Sequence, residues 1–330
     1  MNPTEQFSNS ELCESALLLE KAMHATGSFL KERQCEKPNL YSAGRNPSSG
    51  RDIDAACVVI KSCLPLIEKL LSKKKPLIIY VEDFVQHNER EVDRYVDEKI
   101  GQFDIAVRTS IVRSPDEVGK GVLGANVFSV DPLDGTGQYL SFSNLWASGI
   151  ALLENGRPVV SSIYNAQFNE LYTGLLVRER NRLIDSMVYR RSDPNAKQLH
   201  LASLSAPTEF PVYPRLIGSH MTRSSRAKYL EAEPSLRKIN AQFDGVVMSC
   251  SGLVSLCDVV AGRLAGYINN YTYTHDVAPA EPILIAGERK LSSFTGNPID
   301  YSNASRINIV SSGSELIHSN LLTILNPTLK

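Results

Sequence analysis

The sequence predicts an α/β protein of the α+β kind arranged as two lobes, and three observations carry that expectation. With 330 residues the chain can bury a large core, in one two-lobed domain or two modest ones. Helix-like periodicity precedes strand-like runs in its first part, and from about residue 198 the two alternate. Apolar residues make up 42% and charged residues 22%, with a formal net charge of −1, which suits a globular core and gives no sign of disorder or of a nucleic acid polymer as partner.

The elements follow in order. Ser8 stands three positions before Glu11, a capping box, and Leu12, Leu19, Met23 and Leu30 then recur at near-helical spacing, so residues 8–32 read as an amphipathic helix. Residues 35–52 are rich in Pro, Gly, Ser and Asn and read as a surface loop. Ile53, Cys57, Ile60, Leu64, Ile67 and Leu71 step by three or four, which describes a long buried helix with Pro65 placed to kink it. "PLIIYVEDF" reads as a strand, "EREVDRYVDEKIGQF" as a helix, and "IAVRTSIV" and "NVFSV" as further strands. The stretch from Trp146 to Leu175 resembles antiparallel strands turning at Asn155-Gly156. Beyond it, "PRLIGS" and "GVVMS" read as strands and "GLVSLCDVVAGRL" as a helix. The expected division is 1–50 as an N-terminal extension, 51–197 as an N-terminal α+β lobe and 198–330 as a C-terminal α/β lobe.

No apolar run approaches the roughly 18 residues of a membrane span, and the N-terminus lacks a signal-peptide layout, so a cytoplasmic protein without a membrane partner is expected. Six cysteines form no C-x-x-C pair, which argues against a zinc knuckle or a disulfide framework.

The chemistry concentrates in "NVFSVDPLDGTGQYL", where Asp131 and Asp134 end a β-like run and Gly135-Thr136-Gly137 follows. Two neighbouring carboxylates repel each other, so a cation between them is expected. A hard divalent metal suits Asp131, Asp134 and the carbonyl of Leu133. Gly135 permits close approach of a ligand, and a helix starting near Thr136 would turn free N–H groups toward an anion. A plain Asp/Gly turn is the competing reading of D-x-x-D-G-T. The haloacid dehalogenase-type phosphatases carry D-x-D-G-T with a nucleophilic first aspartate, a role Asp131 would take, but the spacing here is one residue longer.

With "DPLDGT" and the later "SCSGLVSLCDVVAGRLAGYINNYTYTHDVA", the sequence resembles the inositol monophosphatase superfamily over about residues 52–330. The resemblance implies a layered α/β/α/β/α sandwich of two lobes, often a homodimer. It also implies hydrolysis of a small phosphorylated metabolite by water activated by two or three Mg2+ ions. Asp276 matches the family's late metal-binding aspartate, with His275 in place of the usual Trp and with Pro279 and Pro282 where the family has a helix; Pro282 is expected to distort it. The upstream acidic residues admit two placements. The preferred one uses Asp93 with Asp116-Glu117, and the other uses Asp52 or Asp54 with Glu82-Asp83. The implied metal ligands are thus Asp116, Glu117, Asp131, Leu133, Asp134 and Asp276. Thr136, paired with Asp93, would orient the attacking water. Gly135, Thr136, Ser251, Gly252 and Asn269 would face substrate, and Asn269 stands where inositol-preferring members carry Glu. Inositol phosphates, sugar phosphates and nucleotide 3′-phosphates all remain open as substrates, and so does a catalytically decayed interaction protein on the same scaffold. Trp146, Tyr139 and Phe142 are expected to pack between the lobes.

Overall fold

The structure, a computed structural model, describes residues 8–34, 49–72, 77–81, 107, 110–111, 126–179, 182–191, 199–200, 215–220, 226–249, 251–301 and 306–326. Helix α1 (Asn9–Gln34) begins at the expected capping box. Ser8 N donates to Glu11 Oε2 at 2.9 Å, and Glu11 N donates back to Ser8 Oγ at 3.3 Å. Helix α2 (Ser49–Ser72) starts a turn earlier than the apolar periodicity implies and runs unbroken through Pro65.

One sheet contains β1 (Leu77–Val81), β2 (Asn126–Asp134), β3 (Ala147–Glu154), β4 (Arg157–Asn165), β5 (Glu170–Glu179), β6 (Arg182–Arg191) and β7 (Leu199–His200), side by side in chain order. The β1 and β2 strands run parallel, and each later neighbour is antiparallel. The β3–β4 hairpin turns at Asn155 (φ 52°) and Gly156 (φ 74°), as the Asn-Gly dipeptide predicts, because two left-handed residues match the strand twist. A short helix, α3 (Thr136–Leu140), separates β2 from β3.

The second sheet is mixed, in the order β11 (Lys290–Ser293), β12 (Arg306–Ser312), β10 (Gly266–Tyr273), β8 (Leu216–His220), β9 (Gly245–Met248). Between β8 and β9 lies α4 (Arg226–Gln242), between β9 and β10 lies α5 (Gly252–Val260), and α8 (Glu315–Leu325) follows β12. After β10 the chain forms α6 (Thr274–Val277) and then α7 (Glu281–Ala286). The prolines act here as expected of helix breakers. The helix is split, Pro279 falls in the connecting turn, and Pro282 occupies the first turn of α7, where no intrahelical N–H is required. Gly174 lets α7 lie directly on β5, since a Cβ there would stand 2.4 Å from Ile283 N.

Alternation along the strands explains the layers. In β3, Ile150 and Leu152 face a core with Leu19, Met23 and Leu30 of α1 and Ile60 and Ile67 of α2. Ala147, Ala151 and Leu153 face the opposite way, into a core with Leu253 and Leu256 of α5, Ile283 and Leu284 of α7, and Tyr267 and Ile309 of the second sheet. Ile217, Ile268 and Val310 on the far face of that sheet pack with Ile239 of α4 and Leu321 of α8. The result is the layered α/β/α/β/α sandwich. Each fully buried Leu or Met of α1 contributes about 1.5–3 kcal/mol, so this helix, drawn from residues 1–50, is a structural layer of the first core.

Trp146 and Tyr139 belong to that first core rather than to the space between the sheets. Their rings meet edge-on at 5.5 Å, and Tyr139 Oη donates to Leu30 O at 2.9 Å. Phe142 is 64% exposed at φ 58°, so it packs in neither place.

Candidate metal and phosphate site

Strand β2 continues through the acidic motif instead of ending before it. Asp131 pairs with Gly149 and Asp134 with Ala147, so Pro132 and Leu133 bulge opposite Ser148. Ser148 Oγ donates to Pro132 O at 2.7 Å and fixes the bulge, while Leu133 N donates to Asp131 Oδ1 at 3.2 Å. Asp131 is 2% exposed. Gly135 then turns the chain at φ 88°. A Cβ there would meet Leu145 O at 2.8 Å and Ser251 Cβ at 3.1 Å, so both conformation and space require glycine. The short α3 begins at Thr136 as expected, and the Thr136 hydroxyl donates to Leu133 O at 2.9 Å.

Asp134 is held from across the molecule. Its Oδ2 accepts from Ser251 Oγ at 2.7 Å and from Leu253 N at 2.5 Å, at the start of α5. Ser251 is the N-cap of that helix, accepting from Val254 N at 3.2 Å. The helix dipole thus adds to two donors on one carboxylate oxygen. Gly252 leaves room at the same point, for a Cβ there would lie 3.8 Å from Asp134 Oδ2 and 3.6 Å from Tyr267 Oη.

Asp276 sits where α6 begins, its Oδ2 accepting from Thr272 Oγ1 at 2.8 Å and Tyr273 N at 2.9 Å. Upstream of it β10 bulges between Asn269 and Thr272. Asn269 uses its amide inside the strand, with Nδ2 donating to Tyr267 Oη at 3.1 Å and Oδ1 accepting from Tyr271 N at 3.0 Å. Burial, then the charge of Asp134 and more weakly that of Asp276, push the Tyr267 phenol far above its ordinary pKa, against the Asn269 bond that lowers it.

The structure therefore gathers Asp131, Leu133, Asp134, Gly135 and Thr136 in one turn and joins Ser251 and Gly252 to it, with Asn269 and Asp276 on β10 and its continuation. Asp93, Asp116 and Glu117 lie outside the described residues, as do Glu82 and Asp83. Among the described residues no group of three or more His, Cys, Asp or Glu stands together as a metal site. Tyr267 was not singled out by the sequence. Its signal is the two-residue spacing from Asn269, which puts both on one face of a strand.

The inositol monophosphatase family model matches residues 56–326. The chain belongs to that family. Among curated relatives it is similar to a 3′(2′),5′-bisphosphate nucleotidase, CysQ, of Buchnera aphidicola, at 24% identity over 56% of this chain and 61% of that one. An inositol-1-monophosphatase of Mesorhizobium japonicum is 28% identical over 58% of this chain and 65% of its own. Each of these matches thus spans less than two thirds of the relative's length. Solved structures share the fold along nearly the whole chain. The inositol monophosphatase from Anabaena (Nostoc) superposes with a TM-score of 0.61 at 17% identity, covering 95% of this chain and 96% of that one. Inositol monophosphatase II from Staphylococcus aureus gives a TM-score of 0.64 at 15% identity, covering 94% and 95%.

Proposed function

We propose that this member of the inositol monophosphatase family is a magnesium-dependent phosphomonoesterase acting on a small phosphorylated metabolite. The observation that carries the reading is the turn from Asp131 to Thr136. It sets two carboxylates, a carbonyl and a hydroxyl on a rigid bulge, with one carboxylate pinned by the start of α5. The oxygen donors Asp131, Asp134, Asp276 and Leu133 O fit a hard divalent cation. Bound there, magnesium would neutralise phosphate oxygens, acidify a water and steady the leaving alkoxide.

The upstream acidic pair completes that donor set. Val81 of β1 pairs with Val130, the residue before Asp131, so the chain leaves β1 beside the motif. Ile111 bridges Ile79 on the other edge of β1, one strand further from β2, and strands lie about 4.8 Å apart. This register favours the placement with Glu82-Asp83 and Asp54 over the one with Asp116-Glu117 and Asp93. Thr136 holds its hydroxyl proton on Leu133 O, which leaves its oxygen lone pairs to accept from a water. A relay from Thr136 to an aspartate would require that hydroxyl to swing away from Leu133 O. The Gly135 and Thr136 N–H groups are the proposed donors to phosphoryl oxygens. Asn269 spends both ends of its amide within β10, which speaks for an indirect part in recognition. The relatives named above act on inositol phosphate and on nucleotide phosphates, and a panel of both with sugar phosphates is the test.

Phosphate release should require magnesium and vanish in Asp131→Asn, with the unfolding transition retained, because the change removes a ligand charge but little volume. A fully active, magnesium-responsive Asp131→Asn protein would refute the assignment. Direct attack by water also leaves no phosphorylated Asp131 to be trapped during turnover.

A further inference from the structure

Tyr267 is 0% exposed, and its hydroxyl accepts a hydrogen bond from Asn269 Nδ2 at 3.1 Å. The direction of that bond is fixed, because the other end of the amide accepts from Tyr271 N at 3.0 Å and so must be the oxygen. An NH2 group only donates. The phenol's own proton is therefore not used toward Asn269, and no acceptor for it occurs among the described residues. A buried donor left in that condition destabilises the fold, so an oxygen on its open side is called for.

That side is the acidic site. A Cβ on Gly252 would lie 3.6 Å from Tyr267 Oη and 3.8 Å from Asp134 Oδ2, so phenol and carboxylate converge on the same bare Cα. A phenol is a hydrogen-bond donor at neutral pH, and this one lies in full burial beside the acidic residues. We propose that Tyr267 is a positioning residue of the acidic site: Asn269 occupies its hydroxyl oxygen, so that the proton is held for an oxygen entering the space beside Asp134 with a hydrated divalent cation. An amide at position 269 is essential to this arrangement, since a carboxylate there would itself take the phenol proton. The inference rests on the metal-site reading given above.

The test uses the full chain and manganese alone as a hard divalent probe, titrated by paramagnetic resonance without any phosphate ester. Tyr267→Phe keeps the ring and removes the donor. Its manganese affinity should fall roughly tenfold, as for other outer-shell partners of metal ligands, while the unfolding temperature without metal falls by no more than about 4 °C. Asn269→Leu should weaken binding when Tyr267 is present and add little in the Tyr267→Phe background. Unchanged affinity in Tyr267→Phe would overturn the proposal, and so would an Asn269→Leu loss of equal size in both backgrounds, which marks a merely structural role. A wild-type chain that binds no manganese would remove the metal-site reading itself.

Discussion

Ser251→Ala removes a single oxygen atom from the junction between α5 and β2, and its cost can be worked out from the bonds lost. That oxygen accepts from Val254 N at 3.2 Å as the helix N-cap and donates to Asp134 Oδ2 at 2.7 Å. A lost N-cap costs about 1 kcal/mol, and a lost hydrogen bond to a charged acceptor about 1.5–3 kcal/mol. The second figure is an upper bound here, because Leu253 N stays on the same carboxylate oxygen at 2.5 Å. A net loss of about 2 kcal/mol follows, which for a chain of this size lowers the unfolding temperature by about 3 °C.

The same change loosens Asp134, a proposed metal ligand, while leaving its charge in place. Saturating magnesium stabilises a protein that binds it, by about 2.7 kcal/mol at a hundredfold excess over the dissociation constant. Ser251→Ala should therefore show a reduced magnesium-induced rise in melting temperature as well as the lower baseline. Circular dichroism melts with and without magnesium measure both quantities. A variant with wild-type baseline and full magnesium response would show that the Ser251 to Asp134 bond contributes nothing, and the linkage between α5 and the motif would have to be abandoned.

Two further outcomes are expected. Glu82→Gln should reduce magnesium-dependent phosphate release roughly 10–100-fold while Glu117→Gln stays near wild type; the reverse pattern, read from initial rates at saturating magnesium, returns the site to the Asp116-Glu117 placement. His318 bridges Ser292 Oγ and Ser312 Oγ at 2.9 and 3.1 Å, and burial holds its pKa below the ordinary 6.5, with Glu315 opposing and Lys290 assisting that shift. The unfolded chain then takes up the proton first, so this stabilisation is present above about pH 6.5 and is lost as pH falls below it. Denaturant melts of wild type and His318→Gln should converge toward low pH, and a stability difference independent of pH would disprove the assignment.

The parts of the fold legible in the sequence are those decided within a few residues. The Ser8 and Glu11 box and the Asn155-Gly156 turn each follow from local backbone requirements, and each is where the sequence puts it. The layers follow from alternation in strands such as β3. The parts not legible depend on partners far away in sequence. Ser251 and Asp134 are 117 positions apart, so no periodicity relates them, and Ser251 reads from sequence as a substrate-facing turn when its hydroxyl is spent on a cap and a carboxylate. Phe142 reads from sequence as packed between the lobes because it is aromatic, yet its backbone is left-handed and its side chain is exposed. The proposed preference between acidic pairs rests on strand order, which no local pattern states: β2 takes β1 as its neighbour, and Ile111 bridges the other edge of β1.

Helix α5 explains why so much of the site depends on distant residues. Its first turn holds Asp134, and its far end is clamped to the first sheet through Arg263, which donates to Asp258 Oδ1 at 2.7 Å and to Glu170 Oε2 at 3.0 Å. The same guanidinium donates to Tyr172 Oη at 2.8 Å and lies 3.8 Å over the Phe168 ring. Exposed ion pairs contribute little, but the side chains of Asp258 and Glu170 are only 15% and 12% exposed, and both carboxylates, a phenol and a ring hold one planar cation. A helix fixed at its far end cannot translate to follow a carboxylate that moves. The position of Asp134 is therefore set jointly by the β2 bulge and by α5, so the proposed ligand is held in place before any cation arrives.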